Sequence, residues 1–448
     1  MQGSQFPQSS YSVAEHYAAE TMKLQDIHSR RALMAGNGEV DVFGGYVRSF
    51  GFNYDQNSNT GQGMMWIEFS REKRVPIPVT VVILGKTPEH GKAGQRIVAK
   101  TTKLSEVSDL VLDAYFSTYC QQLELYVVVY QRFDGPFFQD GIPHNIAGNF
   151  FRDTGMYRLM PFWVEKIRSL IDLLELGRAR SVTHGGLADP TSYVLSQGTV
   201  KLINVAREAD HYHPQKDLND LRKFIRTEYY FNGDASEEWL TLDMLLGSKL
   251  VTKFTLGWKN VVVGHPMLFD SAEHIIAALD GVYKSMEDLT LIDKNKLANL
   301  LYARFPRYHD NPLTTEVPRG PKDRHDTLRF FFPGGHLFDG LFSYTYAGVP
   351  ILYGGNIYLE IIRLSRNCIH HAAKYDLSLR NYEAMLSKLR ENFTHYISAT
   401  YSLLHMLDDG GENDGPYKSG RADNKPTPSQ PTFGNYLSRA VKRGGRSG

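Results

Sequence analysis

Five polar side chains lie close together in the segment Tyr358–Tyr375, whose sequence is YLEIIRLSRNCIHHAAKY. They are Arg363, Arg366, Asn367, His370 and His371. At about 100° per residue on a helix, they fall within an arc of roughly 140°. This combination suits phosphate chemistry, because a guanidinium group binds phosphate oxygens and an imidazole transfers protons near neutral pH. The alternative is an ordinary solvated helix face, although such faces are usually made of Lys and Glu.

The residues around this cluster predict how it is positioned. The opposite side of the helix is apolar, so the segment is predicted to be amphipathic and to pack by that side. The apolar positions are Ile361, Ile362, Ile369 and Ala372. Tyr353 precedes the helix and is followed by a glycine pair at 354–355. Because glycine adopts turn conformations freely, we expect the phenol to fold back over the first helical turns.

Composition limits the classes of function. The chain has 448 residues, 42% of them hydrophobic, and a net charge of +1, so no global basic field drives it onto nucleic acid. Two cysteines are too few for a disulfide framework or a thiolate metal site. The start of the chain is polar, and no apolar run approaches 18 residues. We therefore expect a cytoplasmic protein, with the nucleus as an alternative.

The order of predicted elements favours an α+β fold with two lobes. Strand-rich sequence runs through residues 39–132 and includes Leu123–Arg132. A long buried helix is predicted for Pro161–Ala179, followed by a loop and two short strands, near Tyr193–Leu195 and Val200–Ile203. Helices dominate from 215 onward, and residues 408–448 are rich in Gly, Pro and Ser, which is typical of disorder.

This order resembles a protein kinase, and two motifs make the resemblance specific. The sequence HGGLADPTSYVL at 184–195 resembles a catalytic loop with one extra residue. The sequence VKLINVA at 200–206 resembles the strand and turn that carry the kinase D-F-G motif. His184 leads the first motif, and we expect a structural imidazole bonded to nearby backbone.

The positions that would carry phosphoryl transfer are changed. Gly186 stands at the place of the catalytic aspartate, and Ser192 at that of the magnesium-binding asparagine. Asn204 replaces the magnesium-binding aspartate, and Val82 replaces the phosphate-pairing lysine. Because phosphoryl transfer needs these charges, kinase activity is predicted to be absent. No cofactor is required, and ATP or ADP stays open as an allosteric ligand.

The region after residue 270 resembles the kinase-extension nuclease domain of ribonuclease L and of the inositol-requiring kinase–ribonuclease of the unfolded protein response. The resemblance is carried by Tyr353, the glycine pair, Arg363, Arg366, Asn367 and His371. Departures are Glu360 for aspartate, Cys368 for lysine and Ala372 for an aromatic residue.

The implied fold is a kinase-like bilobal body followed by an all-α nuclease domain. The predicted divisions are 1–38 as an extension, 39–132 and 133–270 as the two lobes, 271–407 as the nuclease domain and 408–448 as the tail.

The resemblance implies a metal-independent endoribonuclease acting on RNA as a homodimer or higher oligomer. The RNA 2′-hydroxyl would attack the phosphate, giving a 2′,3′-cyclic phosphate. In this scheme His371 is the general acid and Tyr353 is a base or positions the 2′-hydroxyl. Arg366 clamps the phosphate and Asn367 fixes the phosphate or a base edge.

Second choices and alternatives also follow from the sequence. Arg363 and His370 are predicted RNA contacts. One alternative is a scaffold that binds RNA or a partner chain without cutting. A metal site built from His370, His371 and His395 is disfavoured, because adjacent histidines rarely converge on one ion and no carboxylate or thiolate stands at ligand spacing.

Overall fold

The computed structural model describes the greater part of the chain. The described residues are 25–26, 41–42, 45–55, 59–70, 73–121, 123–139, 142–147, 159–207, 211–226, 237–305, 321–332, 336–343, 345–346, 349–350, 353, 355–393 and 396–407. They divide into two compact units, the first formed by 1–148 with 169–229 and the second by 149–168 with 230–448.

The elements follow in chain order. The strands are β1 Gln25–Asp26, β2 Asp41–Val42, β3 Gly45–Asp55, β4 Thr60–Ser70, β5 Lys73–Gly85, β6 Ala114–Cys120, β7 Leu125–Gln131, β8 Gly135–Pro136, β9 Phe138–Gln139, β10 Ile142–Pro143, β11 Tyr193–Ser196, β12 Thr199–Leu202, β13 Thr345–Tyr346 and β14 Val349–Pro350. The helices are α1 Pro88–Ser105, α2 Pro161–Arg180, α3 Pro214–Arg226, α4 Glu237–Leu246, α5 Lys249–Thr252, α6 Trp258–Val263, α7 Ala272–Glu287, α8 Leu291–Arg304, α9 Pro321–Phe331, α10 His336–Phe342, α11 Ile357–His371, α12 Tyr382–Phe393 and α13 Tyr396–Leu404.

A seven-stranded antiparallel sheet lies in the first unit, with the strand order β1-β3-β4-β5-β7-β6 and with β2 paired to β3. Helix α1 connects β5 to β6 and packs against β6, β7 and β5. Strand β5 is apolar along both faces: Val81 lies in one buried cluster, and Val82 lies in another. Burial on both faces explains the continuous apolar sequence of this strand. The sheet agrees with the strand-rich sequence predicted for residues 39–132, whereas helix α1 within that range was not predicted.

Helices form nearly all of the described second unit. Helix α11 is central to it, since α7, α8, α9, α10 and α12 all contact α11. Ile361, Ile362 and Leu364 of α11 are fully buried. The predicted amphipathic helix is therefore confirmed, with its apolar side in the core. A short antiparallel pair, β13 with β14, interrupts the helical extension, which is thus not purely α-helical.

Most sequence-predicted elements agree with the structure. Helix α12 begins at Tyr382, because Asn381 accepts hydrogen bonds from the amides of Glu383 and Ala384 and so caps the helix. Gln25 and Asp26, within the predicted N-terminal extension, pair with β3. The predicted tail at 408–448 lies outside the described residues. None of the described helices combines the length and apolar composition needed to cross a membrane.

Candidate functional site

The loop before α11 is fastened to the helix at its first turns. The side chain of Asn356 accepts a hydrogen bond from the amide of Tyr358 and caps the helix. The amide of Gly355 donates to Oε1 of Glu360 at 3.0 Å. A Cβ on residue 355 would lie 2.6 Å from that oxygen, so a larger residue there would displace the Glu360 carboxylate. Glu360 thus holds the loop against the helix, a role that the sequence did not indicate.

Tyr353 is packed inside the second unit. It is only 1% exposed, its ring stacks on His325 of α9 at 5.9 Å, and its amide donates to Nδ1 of His325 at 3.2 Å. The ring of Phe342 lies against it edge-on at 5.4 Å. Burial raises the pKa of Tyr353 to about 12, although a hydrogen bond from Asn367 acts in the opposite direction. This environment favours a positioning role for the phenol over a base role.

A chain of hydrogen bonds joins three of the predicted site residues. Nδ2 of Asn367 donates to the phenolic oxygen of Tyr353 at 2.8 Å, and Nη1 of Arg366 donates to Oδ1 of Asn367 at 3.3 Å. Asn367 is 7% exposed, whereas Arg366 is partly exposed. The buried phenol therefore orients an amide, and the amide in turn orients a guanidinium group near the surface.

Both arginines of α11 lie over tyrosine rings. The guanidinium of Arg366 lies 5.4 Å from the ring centre of Tyr283 on α7, and that of Arg363 lies 5.5 Å from the ring centre of Tyr353. Arg363 also forms an ion pair with Glu360 at 3.3 Å. The ion pair partly neutralises Arg363, so Arg366 is the better placed of the two to bind a phosphate.

The two adjacent histidines differ in their surroundings. Nε2 of His370 lies 2.7 Å from Oδ1 of Asp280 on α7, and the ring centres of His370 and His371 are 6.4 Å apart. Burial raises the pKa of Asp280, but hydrogen bonds from Lys284 and His370 outweigh burial and lower it below the usual value. Burial, together with the charges of Lys374 and Arg366, lowers the pKa of His371 below 6.5. His371 is therefore mainly neutral at neutral pH.

Sequence reasoning missed the residues that other helices bring to this site. Asp280 and Tyr283 come from α7, and His325 comes from α9. None of the three stands near Tyr358–Tyr375 in sequence, and one sequence gives no signal of such distant contacts. His395, the third member of the disfavoured metal set, lies outside the described residues.

Two of the departures from the nuclease pattern face the core. Cys368 and Ala372 are fully buried, and burial raises the pKa of the Cys368 thiol to about 12. A long charged or large aromatic side chain at either position would need a different packing around α11. These two substitutions therefore change the packing of the helix rather than its exposed side.

The kinase-like positions of the first unit lie in buried surroundings. Val82 is 5% exposed within the apolar cluster that includes Ile97 of α1, where a kinase has a lysine–glutamate pair. Gly186 faces Ser192: a Cβ at 186 would lie 3.1 Å from the Ser192 hydroxyl oxygen. Asn204 is buried, with a left-handed backbone (φ 62°), and its side-chain oxygen has no hydrogen bond among the described residues. No charged side chain stands at these four positions.

His184 has the structural role expected from the sequence. It is buried, its Nδ1 accepts a hydrogen bond from the amide of Gly186 at 3.3 Å, and burial lowers its pKa to about 4. The carboxylate of Asp217 accepts bonds from the amides of His184 and Gly185, each at 2.7 Å. The backbone amides of the loop are thus held by the Asp217 carboxylate and the His184 imidazole.

Comparisons with known proteins add little. No protein-family model matches this sequence, and no curated protein matches it. Among solved structures, the pseudokinase PAN3 of Neurospora crassa is similar over 86% of this chain and 99% of its own, at 11% identity and a TM-score of 0.28. A TM-score this low does not show a common fold.

Proposed function

We propose that this protein is a metal-independent endoribonuclease whose kinase-like part has no phosphoryl-transfer activity. The observation that carries the proposal is the chain from Tyr353 through Asn367 to Arg366, with His371 one turn further along the same helix. It places a guanidinium group and an imidazole together on the partly exposed side of α11. A phosphodiester is the chemical group that these two side chains would bind and cleave together.

The roles are assigned from the surroundings of each group. His371, whose lowered pKa leaves it mainly neutral, accepts the proton of the RNA 2′-hydroxyl. The hydroxyl oxygen forms a bond to phosphorus, and the bond from phosphorus to the 5′-oxygen breaks. His370, whose ring faces the Asp280 carboxylate, supplies the proton to the departing 5′-oxygen. Arg366 stabilises the negative charge that grows on the phosphate. The products are a 2′,3′-cyclic phosphate and a 5′-hydroxyl end.

This assignment differs from the one that the sequence resemblance implied. There His371 is the general acid, and Tyr353 is a base or positions the 2′-hydroxyl. A phenol with a pKa of about 12 is almost fully protonated at neutral pH and cannot accept a proton readily. The ring centres of His370 and His371 are 6.4 Å apart, which is close enough for the two imidazoles to contact the attacking and the leaving oxygen of one phosphodiester.

A second function is favoured by one specific observation. Tyr353 and Asn367, two of the four residues predicted to be catalytic, are buried, and their polar ends bond to each other. A site of this kind also suits a scaffold that binds RNA or a partner chain through Arg366 without cutting it. Cleavage is what separates the two functions.

The test is cleavage of an end-labelled stem-loop RNA in EDTA by the full chain and by His371→Ala. We expect the unmodified chain to produce a 2′,3′-cyclic phosphate end and the variant to lose cleavage by at least about 100-fold. His274→Ala, which changes an exposed histidine of α7, is the control and should keep full activity. An RNA that lacks 2′-hydroxyl groups should not be cut. RNA binding without any cleavage would favour the scaffold instead.

The resemblance also supports a homodimer, because its relatives build the nuclease surface from two chains. We therefore expect cleavage per chain to rise steeply with protein concentration. Cleavage per chain that stays constant as the protein is diluted would exclude the dimer while leaving the nuclease assignment in place.

A further inference from the structure

A pocket in the first unit lies between the first two turns of α1 and the hairpin formed by β6 and β7. Its volume is about 190 Å³. A dry cavity of about 150 Å³ is large enough to bind benzene, so this pocket has room for one aromatic ring with a small substituent. It belongs to a different unit from the site on α11.

Aromatic side chains form one wall of the pocket. The rings of Tyr119 and Tyr126 pack edge-to-face with centres 5.0 Å apart. Gly91 of α1 lies against Tyr126: a Cβ at position 91 would lie 2.6 Å from the ring. The absence of a side chain at Gly91 therefore lets the ring approach the helix. A planar ligand would contact this wall through its face or edge.

A polar group without a partner lies at the floor. Ser117 of β6 lines the pocket and is 9% exposed, and its hydroxyl forms no hydrogen bond among the described residues. Gly94 faces it, with an added Cβ 2.9 Å from the Cβ of Ser117. The hydroxyl is open to the pocket, so a polar atom of a ligand can hydrogen-bond to it in place of solvent.

The ionisable side chains that line the pocket favour a negatively charged ligand. Lys92 and His90 line the pocket, and no Asp or Glu is among the described lining residues. The pocket also lies beside the N-terminal turns of an 18-residue helix, whose backbone dipole favours a negative charge there. Glu89 is in the same turn but does not line the pocket.

From these features we propose that the pocket binds a small aromatic anion. The ring lies against Tyr119 and Tyr126, a polar atom bonds to the Ser117 hydroxyl, and the anionic group points to Lys92. This site is independent of RNA cleavage.

The test is a ligand-observed NMR titration of the full chain with phenyl phosphate, with phenol and inorganic phosphate as partial probes. We expect saturable binding of phenyl phosphate that is tighter than that of either partial probe. Lys92→Met should weaken the binding of phenyl phosphate about threefold and leave the binding of phenol unchanged. Ser117→Ala should weaken the binding of phenyl phosphate about three- to tenfold.

The matched control is Lys103→Met, an exposed lysine in the last turn of the same helix, which should bind as the unmodified chain does. Circular dichroism and thermal melting verify that each variant is folded. Lys92 is exposed, so its replacement tests the proposal even if the change at Ser117 disturbs the sheet. The proposal is overturned if the binding of phenyl phosphate does not saturate at millimolar concentration, or if neither variant weakens that binding.

Discussion

Asn367 donates a 2.8 Å hydrogen bond from its amide to the phenolic oxygen of Tyr353, and both residues are buried. The two residues are 14 positions apart, so the contact folds the loop before α11 back along three turns of the helix. Its consequence is that Tyr353 acts through Asn367 and Arg366 rather than on a substrate directly.

Replacing Tyr353 with Phe should lower the free energy of unfolding by about 1–2 kcal/mol, because the buried amide of Asn367 loses its acceptor. Cleavage should fall less than about tenfold, since the phenol positions other groups and transfers no proton to or from the substrate. Urea unfolding and RNA cleavage are the measurements, and Tyr382→Phe at an exposed tyrosine is the control. Complete loss of cleavage with unchanged stability would instead identify the phenol as a proton carrier.

Replacing Asp280 with Asn should reduce kcat about tenfold while KM stays nearly constant, because His370 loses the carboxylate that holds its ring. The comparison variant is Asp288→Asn, an exposed residue just past the end of α7. Equal activity of the two variants would exclude His370 as the general acid. Single-turnover cleavage at saturating protein gives the cleavage rate constant directly.

The pH dependence of cleavage should reveal the role of His371. Its pKa is lowered, so the neutral ring becomes dominant at a pH below 6.5. A base acts when it is neutral, so kcat/KM should rise with pH on the acidic side and level off before neutrality. A rate that instead falls steadily over this range would make His371 the acid, as the sequence resemblance implied.

Replacing Val82 with Lys should not restore kinase activity and should destabilise the first unit. The side chain lies in an apolar cluster, and burying an ammonium group there costs about 4 kcal/mol if its pKa falls by about 3 units. Val82→Met, similar in length and uncharged, is the matched control. Denaturant unfolding of both variants isolates the effect of charge, and equal stability would mean that the ammonium group reaches water.

The sequence by itself determined much of the architecture and the identity of the candidate site. Apolar residues on both faces of β5 and the helical spacing of Ile361 and Ile362 predicted strand and helix, because burial imposes those periods locally. The cluster from Arg363 to His371 was visible for the same reason: a helix brings neighbours in sequence to one side. The loss of charge at Val82 and Asn204 was also evident from residue identity alone.

Only the tertiary structure decided what each site residue can do. The burial of Tyr353 comes from His325 and Phe342 on two other helices, and it is this burial that raises the pKa of the phenol. The partner of His370 is Asp280, 90 residues away in the chain. Proton affinities depend on burial and on charges that lie close in space, and a sequence does not specify these until its helices have packed.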